Sequence, residues 1–260
     1  MKKEYFTRES IENDGLLIQN SISAIHSKTP FRFDPDKAGL LILDMQQYFL
    51  DKRSHAFIPT APAIVHGLIE LITAFQEIQR PVILTRHKNT SENAGSLSRW
   101  WNDVLPRDNP MGELHPTILQ TGAEVMDKTQ YDAFYNTDLE TRLRDEDVTQ
   151  VVIGGVMTHL CCETTARSAF VRDFDVFFLV DGTATYNLNY HLSSLRNLSH
   201  GFGSMVRVRE IVNRVRDHEP SPFPVQFSNN GGTTGGGDQG DDGEESKTVN
   251  DQKQGWRDVL

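Results

Sequence analysis

At 260 residues the chain has room for one large α/β domain or two small ones, and its low apolar content of 37% reflects a polar last forty residues rather than a missing core. A formal net charge of −10 without any Lys/Arg run argues against a nucleic-acid or anionic-membrane surface, so small molecules or proteins are the expected partners. The two cysteines, Cys161 and Cys162, are adjacent, a geometry that does not favour a disulfide, and no apolar run follows Lys2 and Lys3 or reaches membrane length; a cytoplasmic setting is expected.

Residues 1–37 are polar and mixed, with Pro30 and Pro35 near the end, and read as a loosely ordered arm packing near Phe31 and Phe33. Residues 38–44 are a continuous apolar run closed by Asp44, the pattern of a fully buried parallel strand. Ile64, Leu68, Leu71, Ile72, Phe75 and Ile78 recur at three- and four-residue spacing, which predicts an amphipathic helix beginning near Pro59 or Pro62. Residues 82–86 follow as a second strand, so the first unit is βαβ with a right-handed crossover. Residues 87–122 show no period. Beyond them come a short strand at 123–128, a brief helix at 138–144 capped by Thr137 or Asp138, strands at 148–153 and 176–182, a helix at 188–202 and a closing strand at 204–208.

The alternation predicts a single doubly wound, Rossmann-like α/β domain over residues 38–218, with a mainly parallel sheet flanked by helices. Residues 219–260, with three prolines near their start and residues 229–242 dominated by Gly, Asn, Thr and Asp, are expected to be a disordered tail because they cannot bury enough apolar surface to offset chain entropy. Its end, around Trp256, is a candidate for contact with a protein partner.

Reactive residues gather where such a sheet binds ligands, at the carboxyl ends of its strands. Asp44 ends the first strand, Lys128 the third, and Cys161 follows the glycines Gly154 and Gly155 at the start of a helix. A thiol there meets unsatisfied backbone N–H groups and a helix dipole that favour a thiolate and an oxyanion beside it. Each residue also has a plain structural reading: Asp44 as a helix cap, Lys128 as a solvated charge, Cys161 as packing. Cys162 forms a stripe with Ala166, Ala169 and Phe170 and is assigned to packing.

Three motifs, residues 43–46 around Asp44, 128–134 after Lys128, and 155–166 around Cys161, together resemble the isochorismatase-like hydrolase superfamily over about residues 31–212. The resemblance implies an Asp44-Lys128-Cys161 triad, a non-proline cis peptide at Val156-Met157, and an oxyanion hole from the N–H groups of Met157 and Cys161. It also implies dimers or larger homo-oligomers. Nicotinamidase-like members carry a metal held by an acid and two histidines; Asp51, His55 and His87 do not reproduce that pattern, so neither metal nor other cofactor is expected.

Asp44-Met45-Gln46 with Tyr48-Phe49, and His159, suggest true isochorismatases, which split a vinyl ether using the matching Asp as acid. Those enzymes lack a cysteine at the position of Cys161, and its presence favours covalent chemistry at an amide-type C–N bond. Hydrolysis of isochorismate with Asp44 as acid, and a non-catalytic binding role on the same fold, are the two alternatives. Gln46, Tyr131, Phe134, His159, Trp100 and Trp101 are the candidates for the pocket wall, and residues 181–186 follow a strand end that is compatible with the same cleft.

Overall fold

The computed structural model describes residues 1–23, 31–101, 105–106 and 108–218. Six strands occur among them: β1 (Ala38–Leu43), β2 (Val82–His87), β3 (Glu124–Lys128), β4 (Gln150–Val156), β5 (Asp175–Ala184) and β6 (Gly203–Val206). They form one sheet in the order β3-β2-β1-β4-β5-β6, with every neighbouring pair parallel. This is the doubly wound arrangement that the alternating pattern predicts. The winding direction reverses between β1 and β4, and the crevice left there faces the carboxyl ends of both strands.

The helices are α1 (Ile11–Ser23), α2 (Gln47–Leu50), α3 (Ala61–Glu77), α4 (Leu97–Trp100), α5 (Pro116–Leu119), α6 (Leu139–Asp145), α7 (Glu163–Phe170), α8 (Leu188–Gly201) and α9 (Val208–Arg216). Leu40, Ile42, Val152, Phe177 and Leu179 share one core with Leu68, Leu71 and Phe75 of α3 and Ile211, Val212 and Val215 of α9. The alternate residues Leu41, Leu43, Val151, Ile153, Val176 and Phe178 are buried as well, on the face covered by α6, α7 and α8. Burial on both faces is why these strands read as unbroken apolar runs.

The N-terminal residues differ from the expected loose arm. Ile11, Gly15, Ile18 and Ile22 lie on one helical stripe of α1, and the last three are buried. The glycine hides the pattern: at Gly15 a Cβ would lie 2.9 Å from Asp181 Cβ, so the position is empty because the contact is close. Phe6 is also fully buried. A second difference lies at the other end, where β6 stops at Val206 and Val208 opens α9 instead of ending the strand. The stretch without period after β2 contains α4, a 3-10 turn at Pro110–Gly112, and α5. No helix among the described residues is long and apolar enough to cross a membrane. The expectations for residues 219–260, Trp256 included, fall outside the described residues.

One glycine sets the geometry of the crevice. Gly155 pairs with Leu43 across β1 and β4, has φ +108°, and a Cβ there would stand 2.1 Å from the Leu43 carbonyl oxygen. The β4·β5 register shifts at the same place, between Ile153 and Gly155, with the extra residues on β5, while the β1·β4 register runs unbroken to Leu43 and Gly155. Replacing Gly155 with alanine combines a forbidden backbone conformation with a backbone clash, and is expected to cost about 3 kcal/mol or more. Gly122, at φ +70° with nothing within 4 Å of its would-be Cβ, is the control: alanine there should cost only about 1 kcal/mol. Denaturant unfolding of both variants checks the pair; equal losses would show that the approach to Leu43 does not matter.

Candidate active site

Asp44 directly follows β1 in the left-handed region, φ 52°, which aspartate tolerates better than most residues with a side chain. Its backbone N–H donates to the Thr85 carbonyl at 3.2 Å, and the Thr85 hydroxyl donates to Oδ1 at 2.7 Å. The other oxygen, Oδ2, lies 2.7 Å from Lys128 Nζ, and both side chains are fully buried. Lys128 stands at the end of β3, opposite His87 at the end of β2 in the strand register. Its ammonium also donates to the Gln130 carbonyl at 2.9 Å and lies 3.5 Å from His87 Nδ1.

The protonation of His87 follows from its neighbours. Asn89 Nδ2 donates to the Thr129 carbonyl at 2.9 Å, so Asn89 Oδ1 is an acceptor, and it faces His87 Nε2 at 2.8 Å. Nε2 therefore carries the proton and Nδ1 offers its lone pair to Lys128. Burial, and after it the charge of Lys128, push the imidazole down to about 4, so it is neutral near pH 7. Burial also opposes charge on Asp44, but Lys128 beside it, first among its neighbours, holds the carboxyl below its ordinary value. Lys128 is raised in turn: burial works against it, and Asp44 outweighs burial. Removing one partner of such a buried pair leaves the other charge uncompensated.

Cys161 lies in a π-helical turn, Thr158–Cys162, that carries the chain from the cis Val156–Met157 peptide into α7. The Met157 carbonyl accepts from the N–H groups of Leu160 and Cys162 at 3.0 and 3.2 Å, which closes the turn. Sulfur, a carboxylate oxygen of Asp44 and a ring nitrogen of His87 all lie within 4.8 Å of one another. The expectation that the helix N-terminus favours a thiolate is corrected here. Cys161 sits ahead of α7, only 5% exposed, and burial pushes its thiol up to about 12 although Lys128 pulls the other way. The resting site is a thiol beside an ionised carboxylate. Cys162 is fully buried, with Sγ 4.0 Å from the Gly154 carbonyl, in the packing position its stripe predicts.

Cys161 opens onto a cavity of about 300 Å³ whose wall includes Tyr48, Phe49, Trp101, Tyr131, Met157 and Tyr186. Trp101 Nε1 donates to the Tyr131 hydroxyl at 2.6 Å, which joins two of these rings. Of the residues expected in the wall, Tyr131 and Trp101 are there. The others are placed differently, for identifiable reasons. Gln46 is buried and fully used by backbone, donating to the His87 and Gly112 carbonyls at 3.0 and 2.7 Å and accepting from His87 N–H at 2.8 Å; it pins the end of β2. Phe134 is buried against Phe174, with Arg172 over its ring. Trp100 is 78% exposed on the outer side of α4. His159 bonds Thr185 Oγ1 at 2.6 Å and stacks on Tyr190 at 4.5 Å, in an adjoining surface groove that Trp100 also lines.

Within residues 181–186, Tyr186 reaches the cavity, while Asp181 accepts from Val208 N–H at 2.8 Å and is pushed up to about 6 by burial. His87 and Asn89 are the residues whose part in the cluster sequence reasoning missed. The available signal was position: His87 ends a strand, as Asp44 and Lys128 do.

A metal bound by an acid and two histidines does not suit these donors. The Asp51 carboxylate is held by Arg53, whose Nε lies 3.0 Å from both oxygens, and His87 is committed to Asn89 and Lys128. The one acid–His–Cys group with ligand spacing among the described residues is Asp44, His87 and Cys161, and the Lys128 ammonium bonds into that group, where a divalent cation would meet like charge.

The geometry agrees with what is similar to this chain. The isochorismatase domain profile matches residues 38–210. Nicotinamidase 3 of Arabidopsis thaliana is 38% identical over 180 residues, spanning 66% of this chain and 87% of that protein. Enterobactin synthase component B of Escherichia coli is 28% identical over 202 residues, 76% of this chain and 68% of that one. Among solved structures, a cysteine hydrolase from Pseudomonas syringae superposes with a TM-score of 0.70 at 26% identity, covering 74% of this chain and 99% of its own. With a parallel sheet in this order, a strand-end cluster at the reversal of winding, and a domain match over most of the folded chain, the protein is a member of the isochorismatase-like hydrolase superfamily.

Proposed function

We propose that this hydrolase cleaves an amide-type C–N bond of a small molecule through Cys161, with Asp44 as the base and Lys128 as the fixed cation, and without a metal. The observation that carries the reading is the buried cluster itself: the Cys161 sulfur within 4.8 Å of an Asp44 carboxylate that Lys128 pairs at 2.7 Å, with burial pushing the thiol up and Lys128 holding the carboxyl down. A thiol with so high a pKa is a poor nucleophile until its proton has somewhere to go, and Asp44 is the acceptor within reach.

In the first step Asp44 takes the Sγ proton as sulfur bonds to the carbonyl carbon. The oxyanion that forms is met by the N–H groups of Met157 and Cys161, whose residues both line the cavity. Asp44 then returns the proton to the nitrogen, the C–N bond breaks, and the amine or ammonia leaves. Water, deprotonated by Asp44, attacks the thioester, releasing the acid and restoring the thiol. Lys128 lets Asp44 alternate between its two states without an unpaired charge being left in the interior. His87, neutral and anchored by Asn89, holds Lys128 in place.

Vinyl-ether hydrolysis by Asp44 as acid is the weaker reading. It requires a protonated carboxyl in the resting enzyme, and Lys128 opposes that form.

Two outcomes are expected. A screen of small aryl amides should find ammonia release that survives exhaustive dialysis against EDTA and falls about a thousandfold or more in Cys161→Ala. Stoichiometric alkylation mapped to Cys161 should abolish it; full activity with Cys161 modified would remove the thiol from the reaction. The pH profile separates the two chemistries. Because the carboxyl is lowered, kcat/KM for the thiol route should stay level through neutral pH and fall only below the ordinary carboxylate range, as Asp44 becomes protonated and ceases to be a base. An acid-catalysed route would show the opposite sign, its rate rising as pH falls towards that range.

A further inference from the structure

One lining residue of the cavity, Lys2, comes from outside the residues matched by the family domain, 38–210. It belongs to a strap, residues 1–6, that is tied to the folded domain beside the cavity. Lys3 N–H donates to the Tyr186 carbonyl at 2.7 Å, Tyr5 N–H donates to Thr60 Oγ1 at 3.0 Å, and Thr185 N–H donates to the Tyr5 hydroxyl at 3.0 Å. Phe6 is fully buried, edge-on to His191 at 5.6 Å. With Asn187 Nδ2 donating to the Met1 carbonyl at 3.3 Å, these contacts hold the backbone on both sides of Lys2, whose side chain lines the cavity. Its ammonium donates to the His55 carbonyl and stands 4.4 Å from the centroid of the Tyr186 ring.

Lys2 is an exposed residue whose ammonium reaches the cavity, a position that suits an anion. An ammonium has three protons; the His55 carbonyl takes one and the face of Tyr186 another, which leaves one to offer a ligand. Among the described residues, the lining contains no Asp or Glu, Lys2 is its one Lys or Arg, and most of the rest is aromatic or aliphatic. An apolar wall raises the worth of a fixed charge, and the flanking rings suit a planar ligand. Burial of part of the side chain lowers the Lys2 ammonium, and a bound anion would reverse that.

Resting on the amide-hydrolase reading, we infer that Lys2 is the specificity-determining residue of the site: the preferred substrate is a planar, conjugated amide carrying a carboxylate, its amide at Cys161 and its carboxylate on Lys2. The strap thus contributes to substrate recognition.

The test compares 4-carbamoylbenzoate with 4-acetylbenzamide, a counterpart of similar shape without the charge, on the full-length wild type, Lys2→Met and Lys2→Arg. The wild type should favour the carboxylate by about tenfold to a hundredfold in kcat/KM, mainly through KM. Lys2→Met should lose that ratio and Lys2→Arg should keep most of it. An unchanged ratio in Lys2→Met, or a parallel fall on both substrates that Lys2→Arg does not rescue, overturns the inference and reduces Lys2 to a fastener of the strap. Calorimetric binding of 4-carbamoylbenzoate to Cys161→Ala, with and without Lys2→Met, keeps the two readings apart. Lys2-dependent binding with no turnover by the wild type sinks the amide chemistry and upholds the anion site. Binding that is absent, or indifferent to Lys2, sinks the anion site whatever the wild type hydrolyses.

Discussion

The buried ion pair between Asp44 and Lys128 is the constraint on which the site depends. Two opposite charges at 2.7 Å, with no solvent on either side chain, are costly to desolvate, and hydrophobic residues of similar size would serve stability as well or better. A chain that keeps such a pair uses it for something other than stability. Here it ties the end of β1 to the end of β3 across β2, and each partner's remaining bonds recruit another element: Thr85 on β2 from the side of Asp44, His87 and Gln130 from the side of Lys128. Together with burial, which is the larger influence on the imidazole and the thiol, the pair bears on the protonation states nearby. It keeps the carboxyl ionised, helps keep the imidazole neutral, and leaves the thiol as the group with a proton to give.

The sheet is arranged so that this pair meets the sulfur. Asp44 directly follows β1 and Cys161 lies in the turn after β4, the strands on either side of the reversal in winding. Gly155, without a side chain, lies against the Leu43 backbone just before that turn, where a Cβ would meet the Leu43 carbonyl oxygen. The polar cluster and the glycine therefore form one device. The ion pair sets the charges, and the close approach of two strands sets the distance over which they act.

What was legible in the sequence divides along the same line. Strands buried on both faces announce themselves as apolar runs, so β1, β2, β4 and β5 and the residues at their ends could be read directly, as could α3 from its spacing. Side-chain roles fixed by backbone bonds could not. Gln46 has the look of a ligand-binding residue, yet the carbonyls of His87 and Gly112 consume its amide, and no pattern in the sequence reports where those carbonyls point. Trp100 and Trp101 are neighbours with identical chemistry, and only the orientation of a four-residue helix puts one in solvent and the other in the wall. α1 was obscured because one of its four contact positions is a glycine, where the packing signal is the absence of a side chain. The thiol was misjudged because a helix N-terminus and a low-dielectric interior pull its pKa in opposite directions, and the balance depends on a depth of burial that the sequence does not express.

On the proposed reading, residues 1–6 show how chemistry and selectivity are divided in this molecule. The groups proposed to react sit on strands or on a closed turn, within the residues matched by the family domain, and their geometry tolerates little change. Lys2 reaches the same cavity from a segment outside that match, held by hydrogen bonds to the 185–186 backbone and to Thr60 at the start of α3. Such a segment can vary without disturbing the sheet, because its loss would remove neither the ion pair nor the turn that carries the sulfur. It can still change what the cavity accepts, since Lys2 adds a cation to walls that are otherwise largely apolar. Selectivity carried on a strap and reactivity carried on strand ends are then separable properties, and relatives that share the strand ends need not share a substrate.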